Sequence, residues 1–309
     1  MKLCVLEAQP LLGDDLAPAP LLALADDVLL FDQTAPADVL ARLDGARVAV
    51  TNKVRLGAEQ FSALPQLGCV SVLATGYDAI DVAAARAHGV VVCNVRGYST
   101  PSTAQHALAL LLELTNQVGE HARQVAAGEW ARRGIWSYSA TPLFELDGKT
   151  VLIIGMGAIG SRMARFCEAL GMRVLAGSAR RKDELFALLP QADVVSLHCP
   201  LSDNSRALVN EAFLSSLKPG ALLVNVARGP IVVEEAIVAA LKSGQLGGYG
   251  ADVTATEPPP TDSSLLSAPN CLLTPHNAWA SGASRARLLD ETIANIRAYL
   301  AREPRNVVS

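Results

Sequence analysis

The sequence predicts an α/β protein built from two doubly wound parallel-sheet domains. Three observations carry this. Short apolar runs alternate with helical stretches along nearly the whole chain, the pattern of a parallel sheet covered by helices. Half of the 309 residues are hydrophobic but only 5% are aromatic, so the core has to be made mostly of Ala, Val and Leu. The length exceeds one ordinary domain, and no segment reaches the roughly 18 apolar residues of a membrane span.

Residues 1–98 with 283–309 are expected to form one domain and residues 99–282 the other. In the first, strands are expected at Leu3–Leu6, Val28–Phe31, Val48–Thr51, Val70–Ala74 and Val90–Asn94. Helical stretches such as Pro36–Leu43 and Asp81–His88 separate them. Ligands of such sheets gather beyond the carboxyl ends of strands. Two such ends stand out, Thr51-Asn52-Lys53 and Ala74-Thr75-Gly76-Tyr77-Asp78, although by themselves both read as ordinary turns.

Ser99-Thr100-Pro101 then opens a long helix to about Leu114. Helical residues continue to about Gly128, and Trp130–Pro142 reads as a loop. Six strand signals follow: Thr150–Ile154, Arg173–Ala176, Val194–His198, Ala221–Val226, Gly248–Asp252 and Cys271–Leu273. Helices are expected at Ser161–Leu170, Asp183–Leu189, Asn210–Leu217 and Glu234–Ser243, giving a six-strand doubly wound arrangement. Ser281–Arg302 reads as an amphipathic helix returning to the first domain.

The run Val151–Ile154 leads into Gly155-Met156-Gly157-Ala158-Ile159-Gly160, which reads as a buried strand, a tight turn and a helix start. The spacing has a mechanical reason. Gly155 permits the turn, Gly157 lets a pyrophosphate reach the backbone, and Gly160 lets the helix pack closely on the strand. Amides from about Ala158 to Ser161 would face the anion. Gly171 stops the helix and a second strand follows at Met172–Ala176, so the motif sits in a complete βαβ unit and points to a dinucleotide cofactor in a Rossmann domain.

A net charge of −4 gives no case for nucleic acid or an anionic membrane as partner. Cys4, Cys69, Cys93, Cys167, Cys199 and Cys271 form no CxxC pair and have no His at metal spacing. They read as reduced thiols of a cytoplasmic protein without a metal site. Met1–Leu6 is too short an apolar run for a signal peptide, and Glu7 interrupts it.

Three strand ends in the second half finish in ionisable residues followed by turn chemistry. They are Asn225-Val226-Ala227-Arg228-Gly229-Pro230, Asp252 through Glu257-Pro258, and Thr274-Pro275-His276-Asn277-Ala278. In a parallel sheet all three would converge on one rim. Singly, each of these charges reads as a surface or satisfied polar group. The ordered set, with the glycine turn and His198-Cys199-Pro200-Leu201, resembles the D-isomer-specific 2-hydroxyacid dehydrogenase family over nearly the whole chain. Asn94–His106, Thr51-Asn52-Lys53 and the Trp136-Ser137-Tyr138 loop are most similar to its glyoxylate and hydroxypyruvate reductase (glycerate dehydrogenase) branch.

The resemblance implies reduction of a small 2-oxo acid, glyoxylate or hydroxypyruvate first, to the D-2-hydroxy acid. Arg228, Glu257 and His276 would be catalytic. Arg228 is an always-charged fork suited to the carboxylate and the developing oxyanion. His276 suits proton delivery, and Glu257 bonded to it would favour the imidazolium and hold its orientation. Backbone amides around Thr75, Gly76 and Tyr77 would hold the substrate carboxylate with Arg228 and His276, and Lys53 is a further candidate. Cofactor contacts are implied at Thr103, at Gly155, Met156, Gly157, Ala158, Ile159 and Gly160, and at His198, Cys199, Pro200 and Ser205. They continue through Val226, Ala227, Arg228, Asp252, His276 and Ala278.

The chain departs from the NAD pattern at the second strand end. An acidic residue there would bond the ribose 2′-hydroxyl, but the sequence reads Gly177-Ser178-Ala179-Arg180-Arg181. Ser178 can donate to a 2′-phosphate and Arg180 or Arg181 can pair with it, so NADP is expected as the preferred cofactor, with NAD still possible. Gln105 stands where many relatives have Glu, with no consequence drawn. The alternatives are another substrate of the D-lactate or phenylpyruvate type, a formate-type dehydrogenase, which Glu257 in place of Gln argues against, and a non-catalytic cofactor-sensing protein. Relatives are usually dimers, so a homodimer is expected, with Pro101–Leu114 and Trp130–Pro142 as candidate contacts.

Overall fold

The computed structural model describes residues 1–308. The chain divides into two compact units, Met1–Ser99 with the segment from Trp279 onward, and Thr100–Ala278. The first unit holds a five-stranded parallel sheet of β1 (Lys2–Val5), β2 (Asp27–Leu30), β3 (Val48–Thr51), β4 (Cys69–Val72) and β5 (Val91–Cys93) in the order β2-β1-β3-β4-β5. This is the flavodoxin-like order.

The strands β3 and β4 are buried along their whole length because both sheet faces are covered. Side chains alternate between the two covers. Leu3, Val5, Val48 and Val50 pack with Leu288, Ile293 and Ile296 of the helix Gly282–Leu300. Cys4, Ala49, Val70 and Val72 pack on the other face with Phe61 and Ala85. Ser281 caps the long helix, its hydroxyl accepting from the Ser284 amide at 3.3 Å. Trp279 meets Tyr98 edge-on, with ring centroids 6.3 Å apart. The end of the chain returns to the sheet, where Val308 donates its amide to Val92.

The second unit contains β6 (Thr150–Ile154), β7 (Arg173–Gly177), β8 (Val194–Leu197), β9 (Ala221–Asn225), β10 (Leu246–Ala251) and β11 (Cys271–Leu273). All pairings are parallel, in the order β11-β10-β9-β8-β6-β7. The six strands form the doubly wound arrangement expected from the sequence, with only β7 lying outside β6. The helix Lys182–Leu188 leads from β7 to β8, which pairs with β6 on its other edge instead of extending the sheet beyond β7. The switch point therefore falls between β6 and β8, beside the glycine turn.

The expected loop at Trp130–Pro142 is also revised. A short helix covers Glu129–Arg133, bracketed by Gly128 and Gly134 in left-handed conformation, with Glu129 paired to both Arg132 and Arg133. Before it run the helices Thr100–Asn116 and Val118–Ala126, separated by Gln117 at φ +47°. Among the described residues, no helix is long and apolar enough to cross a membrane, and no group of three or more His, Cys, Asp or Glu could hold a metal.

Candidate active site

The glycine turn connects β6 to the helix Ala158–Ala169. Gly155 has φ +100°, and a Cβ there would lie 2.7 Å from the Cys199 amide nitrogen and the His198 carbonyl carbon, both backbone. A Cβ on Gly160 would overlap the Gly155 carbonyl oxygen. Gly157 differs, since no atom lies within 4 Å of where its Cβ would be. Its flanking residues Met156 and Ala158 are exposed, and Ile159 is half-buried. An open space at the amino end of a 12-residue helix, with unhindered backbone amides, fits a pyrophosphate. Ser161 steadies the turn, its hydroxyl donating to the Met156 carbonyl at 3.1 Å.

Ser178 follows β7 directly. Its hydroxyl accepts from the Arg180 amide at 3.3 Å, and its carbonyl accepts from the Arg181 amide at 3.0 Å, so the three residues form one tight turn. The Arg181 guanidinium pairs with Glu184 at 3.0 Å on an exposed helix surface, whereas the Arg180 side chain is exposed and makes no ion pair among the described residues. An anion here would compete only with a solvent-screened pair.

Beyond β8, His198 is held by its amide to Ile154 at 2.8 Å and by Nε2 to the buried Ser196 hydroxyl at 2.8 Å. Burial pushes the imidazole down to about 4, so it is neutral near pH 7. Its Nδ1 is buried without a partner, an orphaned polar atom beside the glycine turn. Cys199 is buried and Pro200 exposed. Ser205 is fully buried; its hydroxyl donates to the Pro200 carbonyl at 2.7 Å and accepts from the Ser202 amide at 2.8 Å, closing the loop that carries Pro200.

The ends of β9, β10 and β11 are neighbours in the sheet, and their loops are tied together. Val226 and Ala227 are buried. Asn225 accepts from the Ala227 amide at 3.0 Å and donates to the Arg228 carbonyl at 3.1 Å, wrapping the turn around itself. The half-buried Arg228 donates from Nη1 to the Ala227 carbonyl at 2.8 Å. A Cβ on Gly229 would overlap the Thr254 carbonyl, so the Arg228 loop lies directly against the loop leading to Glu257.

Glu257 Oε2 is 2.7 Å from His276 Nδ1, both side chains being 27–29% exposed. Because a carboxylate only accepts, Nδ1 is the protonated nitrogen of that pair and Nε2 is the far end. His276 sits at φ +52°, a left-handed backbone that costs a non-glycine residue about 1 kcal/mol or more. The buried Asp252 holds the strained turn. It accepts from the Thr274 hydroxyl at 2.6 Å and from the Asn277 and Ala278 amides at 2.9 and 2.8 Å. Ala278 also accepts from the Ser102 hydroxyl at 2.6 Å, next to the buried Thr103.

Lys53 and Thr75–Tyr77 belong to the first unit, at the ends of β3 and β4. Thr75 donates its hydroxyl to the Val95 carbonyl at 2.8 Å, and buried Asn94 donates to the Thr75 carbonyl at 2.7 Å. Tyr77 is 41% exposed. Sequence reasoning missed Glu7. Its Oε2 accepts from the Thr51 hydroxyl and from the Asn52, Lys53 and Val54 amides at 2.7–3.3 Å, which fixes the loop bearing Lys53. It also passed over His106, whose Nε2 is 2.8 Å from the Thr274 hydroxyl.

Residues 108–278 match the family model described as D-isomer specific 2-hydroxyacid dehydrogenase, NAD binding domain. The chain belongs to this family. It is 40% identical to a hydroxypyruvate reductase of Blautia hydrogenotrophica, covering 100% of both sequences. It is 39% identical to a glycerate dehydrogenase of Methylorubrum extorquens over 88% of each. A crystal structure of a Thermus thermophilus protein superposes with a TM-score of 0.86 at 33% identity, covering 100% of both chains. The protein is thus an oxidoreductase acting on CH–OH groups with a nicotinamide cofactor.

Proposed function

We propose that this dehydrogenase reduces glyoxylate or hydroxypyruvate to the D-2-hydroxy acid, with NADPH preferred over NADH. The observation that carries the chemistry is the Glu257–His276 pair at 2.7 Å, on a loop packed against the one bearing Arg228. The nicotinamide, when bound, supplies the hydride. Glu257 holds the Nδ1 proton and orients the ring, leaving Nε2 to give a proton to the substrate oxygen in reduction and to take it back in oxidation. Arg228 is the cation for the substrate carboxylate and the charge that develops on the oxygen. The Thr75–Tyr77 amides and Lys53 are carboxylate contacts in this reading, and the names of the two curated relatives support the choice of substrate.

NADPH preference rests on Ser178 standing where an acid would repel a 2′-phosphate and on the adjacent Arg180. The remaining implied contacts, Thr103, Cys199, Pro200, Ser205, Val226, Ala227 and Asp252, shape the pocket in this reading. Loss of reduced-nicotinamide absorbance tests it, with glyoxylate, hydroxypyruvate, pyruvate and phenylpyruvate each given NADPH and NADH. Turnover of the first two with NADPH is expected. Preference for NADH overturns the Ser178 argument alone, and no oxidation with any pair overturns the assigned reaction.

A second copy of the chain is proposed to cover the arm from Val118 to Leu143. Val118, Val125, Trp130, Ile135, Trp136 and Leu143 are all exposed there, Trp136 to 91%. Sedimentation is expected to show a dimer that Trp136→Glu weakens. The six unpaired cysteines, five of them buried, support a reducing, cytoplasmic setting.

A further inference from the structure

We propose that His106 is a positioning residue for the turn that carries His276, acting through Thr274 and Asp252. The inference rests on the reading of His276 given above. His106 lies on the helix Thr100–Asn116, 168 residues before its partner. Its Nε2 is 2.8 Å from Thr274 Oγ1, that oxygen is 2.6 Å from Asp252 Oδ1, and Nε2 itself stays 3.6 Å from Asp252 Oδ1, beyond hydrogen-bond distance, so the path runs through the hydroxyl. A threonine hydroxyl has one proton, and a carboxylate oxygen can only accept. Thr274 therefore donates to Asp252 and accepts from His106, which makes Nε2 of His106 the protonated nitrogen at this contact.

The direction of donation runs one way, from the helix through the hydroxyl to the carboxylate. Asp252 then accepts from the amides of Asn277 and Ala278, the two residues that follow His276. The His276 amide closes the turn on the Thr274 carbonyl at 3.0 Å. Each bond limits the freedom of the next. Without the His106 donor, the Thr274 hydroxyl loses one of the two bonds that fix its rotation, and the Ala251 carbonyl, already 3.4 Å away, competes with Asp252 for its proton. Asp252 would then lose its shortest bond, and the left-handed His276 backbone would lose part of what holds it. His106 touches no reacting atom in this account.

The test compares kcat and both KM values in the full chain for His106→Leu, His106→Gln, Thr274→Val and the double variant His106→Leu/Thr274→Val. Leu removes the donor, while Gln places an amide N–H near the lost Nε2–H. His106→Leu is expected to lose about tenfold in kcat, with both KM values within about twofold of the parent. Gln should recover most of that loss, and the double variant should be no worse than Thr274→Val alone, since the two act in series. An unchanged kcat in His106→Leu, a loss that Gln does not relieve, or losses that multiply in the double variant overturns the proposal. If the Leu variant does not fold, His106→Glu replaces it: Glu offers only an acceptor and should behave like Leu, and equal activity of the Glu and Gln variants overturns the proposal. His276→Asn in the same series separates the two ideas. Its retaining turnover removes the role given to His276, whereas its inactivity beside a fully active His106→Leu removes only the role given to His106.

Discussion

Asp252→Asn is a nearly isosteric change in a side chain that is 2% exposed and surrounded by donors. The carboxylate accepts on Oδ1 from the Thr274 hydroxyl and the Asn277 amide, and on Oδ2 from the Ala278 amide. An asparagine has one acceptor oxygen. Its better orientation keeps that oxygen at the Oδ1 position and points its NH2 at the Ala278 N–H, donor against donor. The two retained bonds change from charge-assisted to neutral, a loss of about 1 kcal/mol each, and the third becomes an unsatisfied buried contact costing about 2 kcal/mol. Removing a buried charge relieves some desolvation in the other direction, leaving roughly 3 kcal/mol. That is less than the stability of an ordinary domain but enough to displace a turn held at φ +52°. The variant should therefore remain folded with a lowered urea midpoint, while kcat falls by one to two decades, about 1.4 kcal/mol per decade. Unchanged kcat together with an unchanged midpoint would refute the argument that this carboxylate holds the His276 turn.

The two leading glycines should separate by mechanism: Gly157→Ala, at φ −75° with open space around it, should leave the melting temperature unchanged and weaken NADPH binding about tenfold in a titration. Gly155→Ala, at φ +100° against two backbone neighbours, should destabilise the fold itself by about 3 kcal/mol. Ser178→Asp should shift the ratio of kcat/KM values at least about tenfold toward NADH, since a carboxylate repels the 2′-phosphate; an unchanged ratio would dismiss Ser178 as the discriminating position. His198 adds a pH dependence. Its folded value is lowered to about 4 from 6.5, so its contribution to stability is complete above about pH 6.5, falls as the pH drops, and is gone below about pH 4. By pH 5 about 2 kcal/mol of it has been lost, and urea unfolding of His198→Gln at pH 7 and pH 5 should show a correspondingly smaller acid loss than the parent.

What the sequence made legible follows physical locality. The runs Val48–Thr51, Thr150–Ile154 and Cys271–Leu273 were readable as strands to the residue because short apolar runs bounded by turn residues leave little choice. The helix Glu234–Ser243 was equally plain, with Gly244 at φ +78° stopping it. The strand Leu246–Ala251 starts two residues before the expected Gly248 and ends one before the expected Asp252, because the Gly247-Gly248 pair has no side chain to signal burial. They are glycines for a reason invisible locally, since a Cβ on Gly247 would overlap the Gly220 carbonyl. Strand order was harder still. Nothing between Gly177 and Val194 distinguishes a crossover to the far edge of β6 from one that extends the sheet beyond β7, because both need the same helix on the same apolar stripe.

The same division runs through the site. Glycine spacing reports constraints that each residue meets within a few positions, so Gly155 and Gly160 could be argued from the chain alone. Glu7 and His106 could not, because each works on a loop 45 to 168 residues distant and carries no local signature. Gly229 stands between these cases. Its place after Arg228 suggests only a turn, yet its backbone lies so close to Thr254 that no side chain fits, and Glu234 then fixes the next residue by accepting from the Ala255 amide at 2.7 Å. The position of Arg228 relative to Glu257 is thus set by a missing side chain and by a glutamate at the start of the following helix. A larger residue at 229 would separate the two loops without altering any charged group, which makes close backbone packing as much a part of this site as the ionisable residues.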